Sequence, residues 1–151
     1  MMDPTLHAAI ETLHDPASWV HLSTIDHDGG PHVTPMMMGL TDSHLLFSLT
    51  GKQKVRNLER DPRASFLVES GERWADLKAV HLTGRAEVVD LDTELGARFR
   101  DEMDRKYASA RTAGSDMPKA TAEHYTTAIG GIVRFTPDAR VLNWDNAKLM
   151  A

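Results

Sequence analysis

The chain has 151 residues, a length typical of one domain and sufficient for a sizeable hydrophobic core. It carries 22 acidic and 17 basic residues, and the net charge of −5 argues against general nucleic-acid binding, which requires a basic surface. The absence of cysteine excludes disulfides, thiol catalysis, iron–sulfur clusters and cysteine-ligated zinc.

The apolar segments of the chain are short. None approaches the roughly 20 residues of a membrane-spanning helix. The N-terminal sequence Met1-Met2-Asp3-Pro4 lacks the basic and apolar regions of a secretory signal. We therefore expect a cytoplasmic protein that neither enters a membrane nor binds nucleic acid.

The first third of the chain predicts one helix and three strands. Asp3 is suited to cap a helix, and apolar residues then recur at helical spacing over 4–14. Alternating apolar residues predict strands over 19–25 and 32–40, joined as a hairpin by a turn rich in Asp and Gly. A third strand is predicted over 44–50.

The middle of the chain predicts a short helix between strands. The helix covers about 53–60 and stops before Pro62, which cannot continue it. Strands follow over 63–69 and 74–90, and Gly84 is expected to form a bulge or bend in the second.

The C-terminal third begins with a change to helical periodicity. A helix is predicted over 93–107, followed by a small, polar and flexible segment over 108–118. A short helix over 119–126 follows. The turn signal Pro137-Asp138-Ala139 predicts a final hairpin over 129–145.

Tight turns, rather than helical crossovers, connect most of these strands. This pattern favours an antiparallel sheet. Many short antiparallel strands tend to close into a barrel, because closure removes exposed edges. We therefore predict one domain over residues 1–151, mainly β, with an antiparallel barrel and a few helices.

A basic turn separates the third strand from the short helix. It runs from Thr50 through Gly51 and contains Lys52, Lys54 and Arg56. Free backbone N–H groups and the helix dipole favour anions at a helix start, and the lysines add full charges. The turn therefore suggests a binding site for a phosphate-bearing ligand, and the alternative is an ordinary solvated helix start.

Sequence motifs of self-sufficient catalysis are absent. The chain has no nucleophile elbow, no nucleotide phosphate loop, no dinucleotide-binding glycine pattern and no paired-histidine zinc motif. His21 and His81 lie in predicted strands but are interpreted as ordinary histidines, so no metal site is predicted. If the protein is an enzyme, a cofactor carries the reaction.

Methionines and tryptophans give the remaining candidates. Met36, Met37 and Met38 follow one another on a strand and therefore alternate between its faces, which suits core or dimer contacts or a flat ligand. Trp74 and Trp144 lie near strand ends, where tryptophans either pack or form the rim of an aromatic pocket.

The order and spacing of these segments resemble a known superfamily. The segments 24–35, 50–65 and 80–88, with Trp74 between the last two, are similar to the split-barrel flavin and deazaflavin oxidoreductases named after pyridoxamine 5′-phosphate oxidase. The ending that begins at Trp144 is similar to that of small actinobacterial members that use the deazaflavin coenzyme F420. The resemblance implies a six-stranded split barrel and a homodimer with two cofactor sites at the subunit interface.

The resemblance also implies roles for individual residues. Lys54, assisted by Lys52, would bind the cofactor phosphate, and the backbone from Pro35 to Met38 would run along the tricyclic ring. Trp74 and Trp144 of the other subunit would close the pocket. The full set of implied cofactor-binding residues is Pro35, Met36, Met37, Met38, Ser48, Leu49, Thr50, Lys52, Gln53, Lys54, Asn57, Trp74 and Trp144.

The implied activity is hydride transfer from reduced F420 to an unsaturated small organic substrate. The form Gly51-Lys52-Gln53-Lys54 is closer to the branch that reduces tetrapyrroles such as biliverdin, and the extra C-terminal residues needed for vitamin B6 oxidation are absent. Two alternatives stay open: an FMN-binding oxidoreductase of the same fold, and a non-catalytic carrier of a cofactor or haem. No catalytic acid or base is identified.

Overall fold

The computed structural model describes residues 2–13, 19–41, 44–49, 51–108, 114–127 and 131–149. The helices of this part are α1 (Pro4–Leu13), α2 (Lys52–Arg60), α3 (Glu94–Tyr107) and α4 (Lys119–Thr127). The strands are β1 (Val20–Ile25), β2 (Pro31–Met36), β3 (Met38–Thr41), β4 (His44–Leu49), β5 (Arg63–Ser70), β6 (Lys78–Val89) and β7 (Ile132–Asp145). Short 3₁₀ helices occupy Trp74–Asp76, Gly114–Asp116 and Asn146–Leu149.

All of these strands form one antiparallel sheet that closes on itself. The strand order is β2-β1-β5-β6-β7-β4-β3. The two strands at its ends, β2 and β3, are consecutive in the chain and are separated only by Met37. One bent strand therefore pairs with β1 through its first half and with β4 through its second half. Counted as one strand, it gives the predicted six-stranded split barrel, which is confirmed.

A tyrosine hydroxyl holds the bend. Helix α3 packs on β3, and the Tyr107 side chain reaches Met38 from there. The Met38 N–H donates to the Tyr107 hydroxyl at 2.9 Å, and the hydroxyl donates to the Met38 carbonyl at 3.0 Å. Burial raises the pKa of Tyr107 to about 12, so the hydroxyl keeps the proton that it donates.

The barrel interior is filled by alternate residues of its strands. Leu22, Phe66 and Leu82 are cross-strand partners, and all three are fully buried. Ile10 of α1 belongs to the same apolar cluster, so α1 packs against the barrel. Helix α3 belongs to a second apolar cluster, which its buried residues form with Ile132 of β7. No helix in the described part of the chain combines the length and apolarity needed to span a bilayer.

The predicted final hairpin is wrong. Residues Ile132–Asp145 form one strand that runs along β6. Gly84 pairs with Pro137 and Leu82 pairs with Val141, so β7 carries two more residues than β6 over this interval and bulges there. The segment Pro137-Asp138-Ala139, which predicted a turn, therefore lies in a bulge of β7. Gly84 is the predicted irregular point, and a Cβ there would collide with the Thr136 carbonyl oxygen.

Other boundaries differ from prediction in smaller ways. The strand predicted over 32–40 is interrupted at Met37 by the bend. The strand predicted over 74–90 begins with a 3₁₀ turn, and only Lys78–Val89 is strand. Helix α3 has the predicted position, with the Thr93 hydroxyl accepting from the Gly96 N–H at 3.1 Å.

Four predicted features fall partly outside the described residues. These are the end of the first helix, at residue 14, the end of the third strand, at residue 50, the start of the final hairpin, at 129–130, and the flexible segment over 108–118, of which 109–113 are not described. The described end of that segment contains the 3₁₀ turn Gly114–Asp116.

Removing the Tyr107 hydroxyl tests whether its two hydrogen bonds to Met38 stabilise the bend. The substitution Tyr107→Phe leaves the buried Met38 N–H and C=O groups without their partner, so we expect a loss of about 1–3 kcal/mol in the free energy of unfolding. Denaturant titration measures it. The control Thr12→Val removes an exposed hydroxyl that donates to the Ala8 carbonyl at 2.8 Å, and it should change stability by less than about 0.5 kcal/mol. Equal effects of the two substitutions would contradict a stabilising role for the hydrogen bonds between Tyr107 and Met38.

Candidate functional site

Helix α2 places the basic turn at one end of the barrel. It contacts β1 and β6 and buries Asn57 and Leu58 on its inner face. The chain after it is tied to β6, because the Ala86 N–H donates to the Pro62 carbonyl at 2.8 Å. The opposite face of the helix, which carries Lys52 and Arg56, is exposed.

The start of α2 is unusually favourable to an anion. Its N-cap, Gly51, is in an extended conformation and has no side chain to accept from the first-turn N–H groups. The first turn contains no acidic residue but has lysine at positions 52 and 54. Positive charges at this end oppose the helix dipole and cost about 0.3–1 kcal/mol each. A bound anion would reverse that cost and accept from the free N–H groups.

Lys54 is the less exposed of the two lysines. Its side chain is half-buried, and burial lowers the pKa of its ammonium group. Among the ion pairs of the described residues, none involves Lys52, Lys54 or Arg56. A partly desolvated ammonium group without a carboxylate partner is suited to binding an anionic ligand.

Asn57 anchors the helix rather than facing the turn. Its side chain is fully buried, and its Nδ2 donates to the Thr24 hydroxyl at 3.1 Å. Its Oδ1 accepts from Gln53 at 3.0 Å and from Arg60 at 3.3 Å. In this position the Asn57 side chain is engaged within the protein, and its implied role in cofactor binding stays a prediction. Sequence reasoning missed this anchor, because nothing in the pattern marks Thr24 as its partner.

The Gln53 side chain is also engaged within the protein. Its Nε2 donates to Asp26 Oδ1 at 3.2 Å in the β1–β2 hairpin as well as to Asn57. This link fixes the start of α2 next to the hairpin. What Gln53 offers a ligand is therefore its amide oxygen and its backbone N–H.

The methionine triplet is chiefly core. Met36 and Met38 are buried inside the barrel, and Met37 is half-buried against the cluster of α3. The backbone of Met38 is occupied by the Tyr107 hydroxyl. The structure thus favours the packing interpretation for this triplet, and Pro35 is the exposed member of the predicted ring-binding segment.

Three further predicted residues can be placed only in part. Leu49 pairs with Ile132 across β4 and β7, and Ser48 precedes it on β4. The side chains of β4 and the whole of Thr50 lie outside the described residues.

Trp74 and Trp144 are exposed and do not lie beside the part of β6 that α2 is tied to. They are 69% and 44% exposed. Trp144 pairs with Ala79 near the start of β6, whereas Pro62, which follows α2, accepts from the Ala86 N–H. Ala79 and Ala86 are seven positions apart, roughly 23 Å along the strand. The tryptophans and the segment after α2 therefore lie beside different parts of β6.

The β1–β2 turn holds a small acidic group. Asp26, His27 and Asp28 place one ligand atom each within 4.8 Å of one another. Asp28 Oδ1 accepts from the Gly30 N–H at 2.9 Å, and Asp26 accepts from His27 and Gln53. These carboxylates already serve the turn and helix α2, so the group carries no metal assignment.

Comparison with known proteins places the fold. Among solved structures, the chain is similar to a conserved hypothetical protein from Mycobacterium tuberculosis, with 26% identity and a TM-score of 0.70 over 100% of this chain and 89% of that one. An F420 reductase is 24% identical, with a TM-score of 0.59 over 87% of this chain and 94% of that one. HutZ, a haem storage protein from Vibrio cholerae, is 17% identical, with a TM-score of 0.65 over 89% of this chain and 92% of that one. The last two show the fold alone.

A family model confirms the resemblance drawn from the sequence. The model described as pyridoxamine 5′-phosphate oxidase matches residues 6–128, which include most of α1, the helices from α2 to α4 and the strands from β1 to β6. Because that match covers most of the sequence, the chain belongs to the pyridoxamine 5′-phosphate oxidase family.

Proposed function

We propose that this protein is an oxidoreductase that binds the deazaflavin coenzyme F420 and transfers a hydride between the cofactor and an unsaturated small organic substrate. The observation that carries the proposal is the start of α2, where Lys52 and Lys54 accompany first-turn N–H groups that have no side-chain cap and no acidic residue in that turn. A cofactor phosphate is the ligand that this arrangement suits.

The residues of the turn fit a phosphate in three respects. The backbone N–H groups donate in fixed directions, and the helix dipole adds a favourable field. Lys54 is partly desolvated, which strengthens its attraction to an anion because less water screens it. Lys52 is exposed and can follow the ligand. Each charge-assisted hydrogen bond contributes about 1.5–3 kcal/mol.

The ring of the cofactor requires a second copy of the chain. Trp74 and Trp144 are exposed at the end of the barrel opposite α2. A homodimer in which two barrels pack with reversed strand directions would bring the tryptophans of one copy to the basic turn of the other. The exposed apolar side chains Leu142 and Val33 on the outer surface support such a contact.

The chemistry divides between cofactor and protein. When bound, F420 supplies the hydride from C5 of its ring. Lys52 and Lys54 would fix the phosphate, and the tryptophans of the second copy would cover the ring and exclude water. Orientation and water exclusion are the contributions that we assign to the chain.

FMN is the alternative cofactor, because its terminal phosphate suits the same turn. The likeness of the C-terminal segment to small F420-using proteins favours F420. Substoichiometric protein mixed with reduced F420 and a panel of unsaturated acceptors, tetrapyrroles included, tests the catalytic part of the proposal. Oxidation of the cofactor is expected, and binding of F420, FMN or haemin without turnover would favour a carrier.

Loss of the half-buried lysine should weaken cofactor binding. We expect Lys54→Ala to lower the affinity for F420 about ten- to hundredfold, because a charge-assisted bond to the phosphate is removed. Parallel fluorescence titrations with F420 and FMN measure the change and identify the preferred cofactor. Lys119→Ala, which removes an exposed lysine of α4, is the control and should leave both affinities unchanged. Unaltered binding to Lys54→Ala would refute the phosphate assignment.

The cofactor affinity should depend on pH through Lys54. Burial lowers its pKa below the usual 10.5, so the ammonium loses its proton at a lower pH than a free lysine does. Because the phosphate needs the charged form, affinity should be full at neutral pH and fall as pH rises through the lowered pKa. Titrations at increasing pH should show an earlier decline for the native protein than for Lys54→Arg, which stays charged. Identical profiles would contradict the role of Lys54.

Mixed dimers test whether two chains build each site. We would combine one Lys54→Ala protomer with one Trp144→Ala protomer, using different affinity tags. If Trp144 serves the site of the other copy, one site of the mixed dimer is fully native and the other carries both changes. We therefore expect tight binding at half the native stoichiometry, although both homodimers bind weakly. A mixed dimer without any tight site would place Trp144 in the site of its own chain.

A further inference from the structure

A row of hydroxyl groups lies on the outer surface of the barrel. Ser23, Ser65 and Thr83 are successive cross-strand partners on β1, β5 and β6. Their neighbours in each strand, such as Leu22 and Phe66, fill the interior, so the hydroxyl residues point outward. Among the hydrogen bonds of the described residues, none involves these three hydroxyls. Three unpaired hydroxyls on adjacent strands form a polar strip that can bind ligand oxygens.

The strip forms the floor of a cavity. The cavity has a volume of about 360 Å³, and besides the three hydroxyl residues it is lined by Arg63, Asp138 and apolar groups that include Ile25. Neither lysine of the α2 turn lines it. It is therefore a place distinct from the proposed phosphate site, although both lie at the same end of the barrel.

Two arginines stand beside the strip in an unfavourable arrangement. Arg63 and Arg85 are direct cross-strand partners on β5 and β6, and both are exposed. Like charges directly opposite each other destabilise a sheet. Among the described side chains, Arg85 forms no ion pair. A negatively charged ligand bound between these two arginines would reduce their mutual repulsion.

Asp61 holds one of the two arginines in place. Its carboxylate accepts from Arg63 Nε at 3.0 Å and from Nη2 at 2.6 Å. These hydrogen bonds, with a contribution from the charge of Arg85, lower the pKa of Asp61 to about 2. Because Asp61 occupies Nε and Nη2, the Nη1 group of Arg63 is left for another acceptor.

The charges around the strip are mixed. Arg63 and Asp138 are the charged residues that line the cavity, and Asp61 pairs with Arg63. Arg60 donates to the Ile25 carbonyl at 2.8 Å, next to the carboxylate of Asp26. Arg85 and the Nη1 group of Arg63 are therefore the donors left for an acidic ligand, while Asp138 offers an acceptor to an N–H or O–H group of the same ligand.

We propose that this cavity is a second ligand site, which binds the carboxylate of an organic molecule through Arg63 and the hydroxyls of Ser23, Ser65 and Thr83. The apolar part of the cavity wall accommodates the body of the molecule. Arg85, the cross-strand partner of Arg63, attracts the carboxylate electrostatically. Asp61 is a positioning residue that orients the Arg63 guanidinium.

Benzoate is a suitable probe, and benzyl alcohol is its neutral counterpart. Titration of the isotopically labelled full-length protein, followed by NMR of the backbone amides, should show benzoate shifting the amides of Ser65, Thr83 and Arg85. We expect benzoate to bind about tenfold more tightly than benzyl alcohol, since only benzoate makes charge-assisted bonds. The variants Arg63→Gln and Arg85→Gln should each weaken benzoate binding several-fold.

Two controls separate this site from its surroundings. Arg98→Gln removes an exposed arginine of α3 and should leave benzoate binding unchanged. Lys54→Ala should also leave it unchanged, so a failure of the proposed cofactor site does not affect this test. Benzoate that stays bound in the presence of saturating F420 would identify the cavity as a substrate site, and displacement by F420 would assign it to an acidic group of the cofactor.

The proposal is overturned by any of three results. They are equal affinities for benzoate and benzyl alcohol, undiminished benzoate binding in both arginine variants, and benzoate shifts confined to the α2 turn. Ser65→Val provides a second readout that does not alter charge. It fills the floor of the cavity and removes one hydroxyl, and it should weaken benzoate binding while the NMR spectrum of the rest of the fold is retained.

Discussion

The barrel depends on one bent strand that pairs with both ends of the sheet. Because β2 bonds to β1 and β3 bonds to β4, one continuous segment joins the two ends of the sheet, and its two halves separate at Met37. The Met38 backbone finds its partner in Tyr107 instead of in a strand. Helix α3 is therefore part of the closure of the barrel, and the proton on the Tyr107 hydroxyl is essential because that group both donates and accepts.

Positive charge collects at one end of a protein that is acidic overall. The start of α2 has a glycine N-cap and two lysines, and the nearby strands carry Arg63 opposite Arg85. The lysines oppose the helix dipole, whereas Asp61 offsets part of the repulsion between the paired arginines. The two arrangements differ in chemistry, since the first offers backbone donors and flexible ammonium groups and the second offers a guanidinium fixed by Asp61.

Local sequence patterns were sufficient to predict most helices and strands. The features that they did not predict depend on contacts between residues far apart in the chain. The helical spacing over 93–107 was sufficient to predict α3, whereas the phosphate site at the basic turn stays a prediction. The same turn signal at Pro137-Asp138-Ala139 could have made a hairpin, and only the pairing of β7 with the long strand β6 makes it a bulge. Likewise, the bond from Asn57 to Thr24 could not be predicted from the sequence, because the two residues are 33 positions apart in the chain.

The level of Trp144 on β6 bears on how many chains the proposed site needs. Ala79, the partner of Trp144, and Ala86, which bonds to the segment after α2, are seven positions apart on β6, roughly 23 Å along the strand. Under the proposed function, a homodimer with opposed strand directions would close this gap, because a two-fold axis would place the tryptophan of one copy near the basic turn of the other. Each copy would then give a basic turn to one site and a tryptophan to the other, and the lysines and the tryptophan would serve the same site only in the dimer.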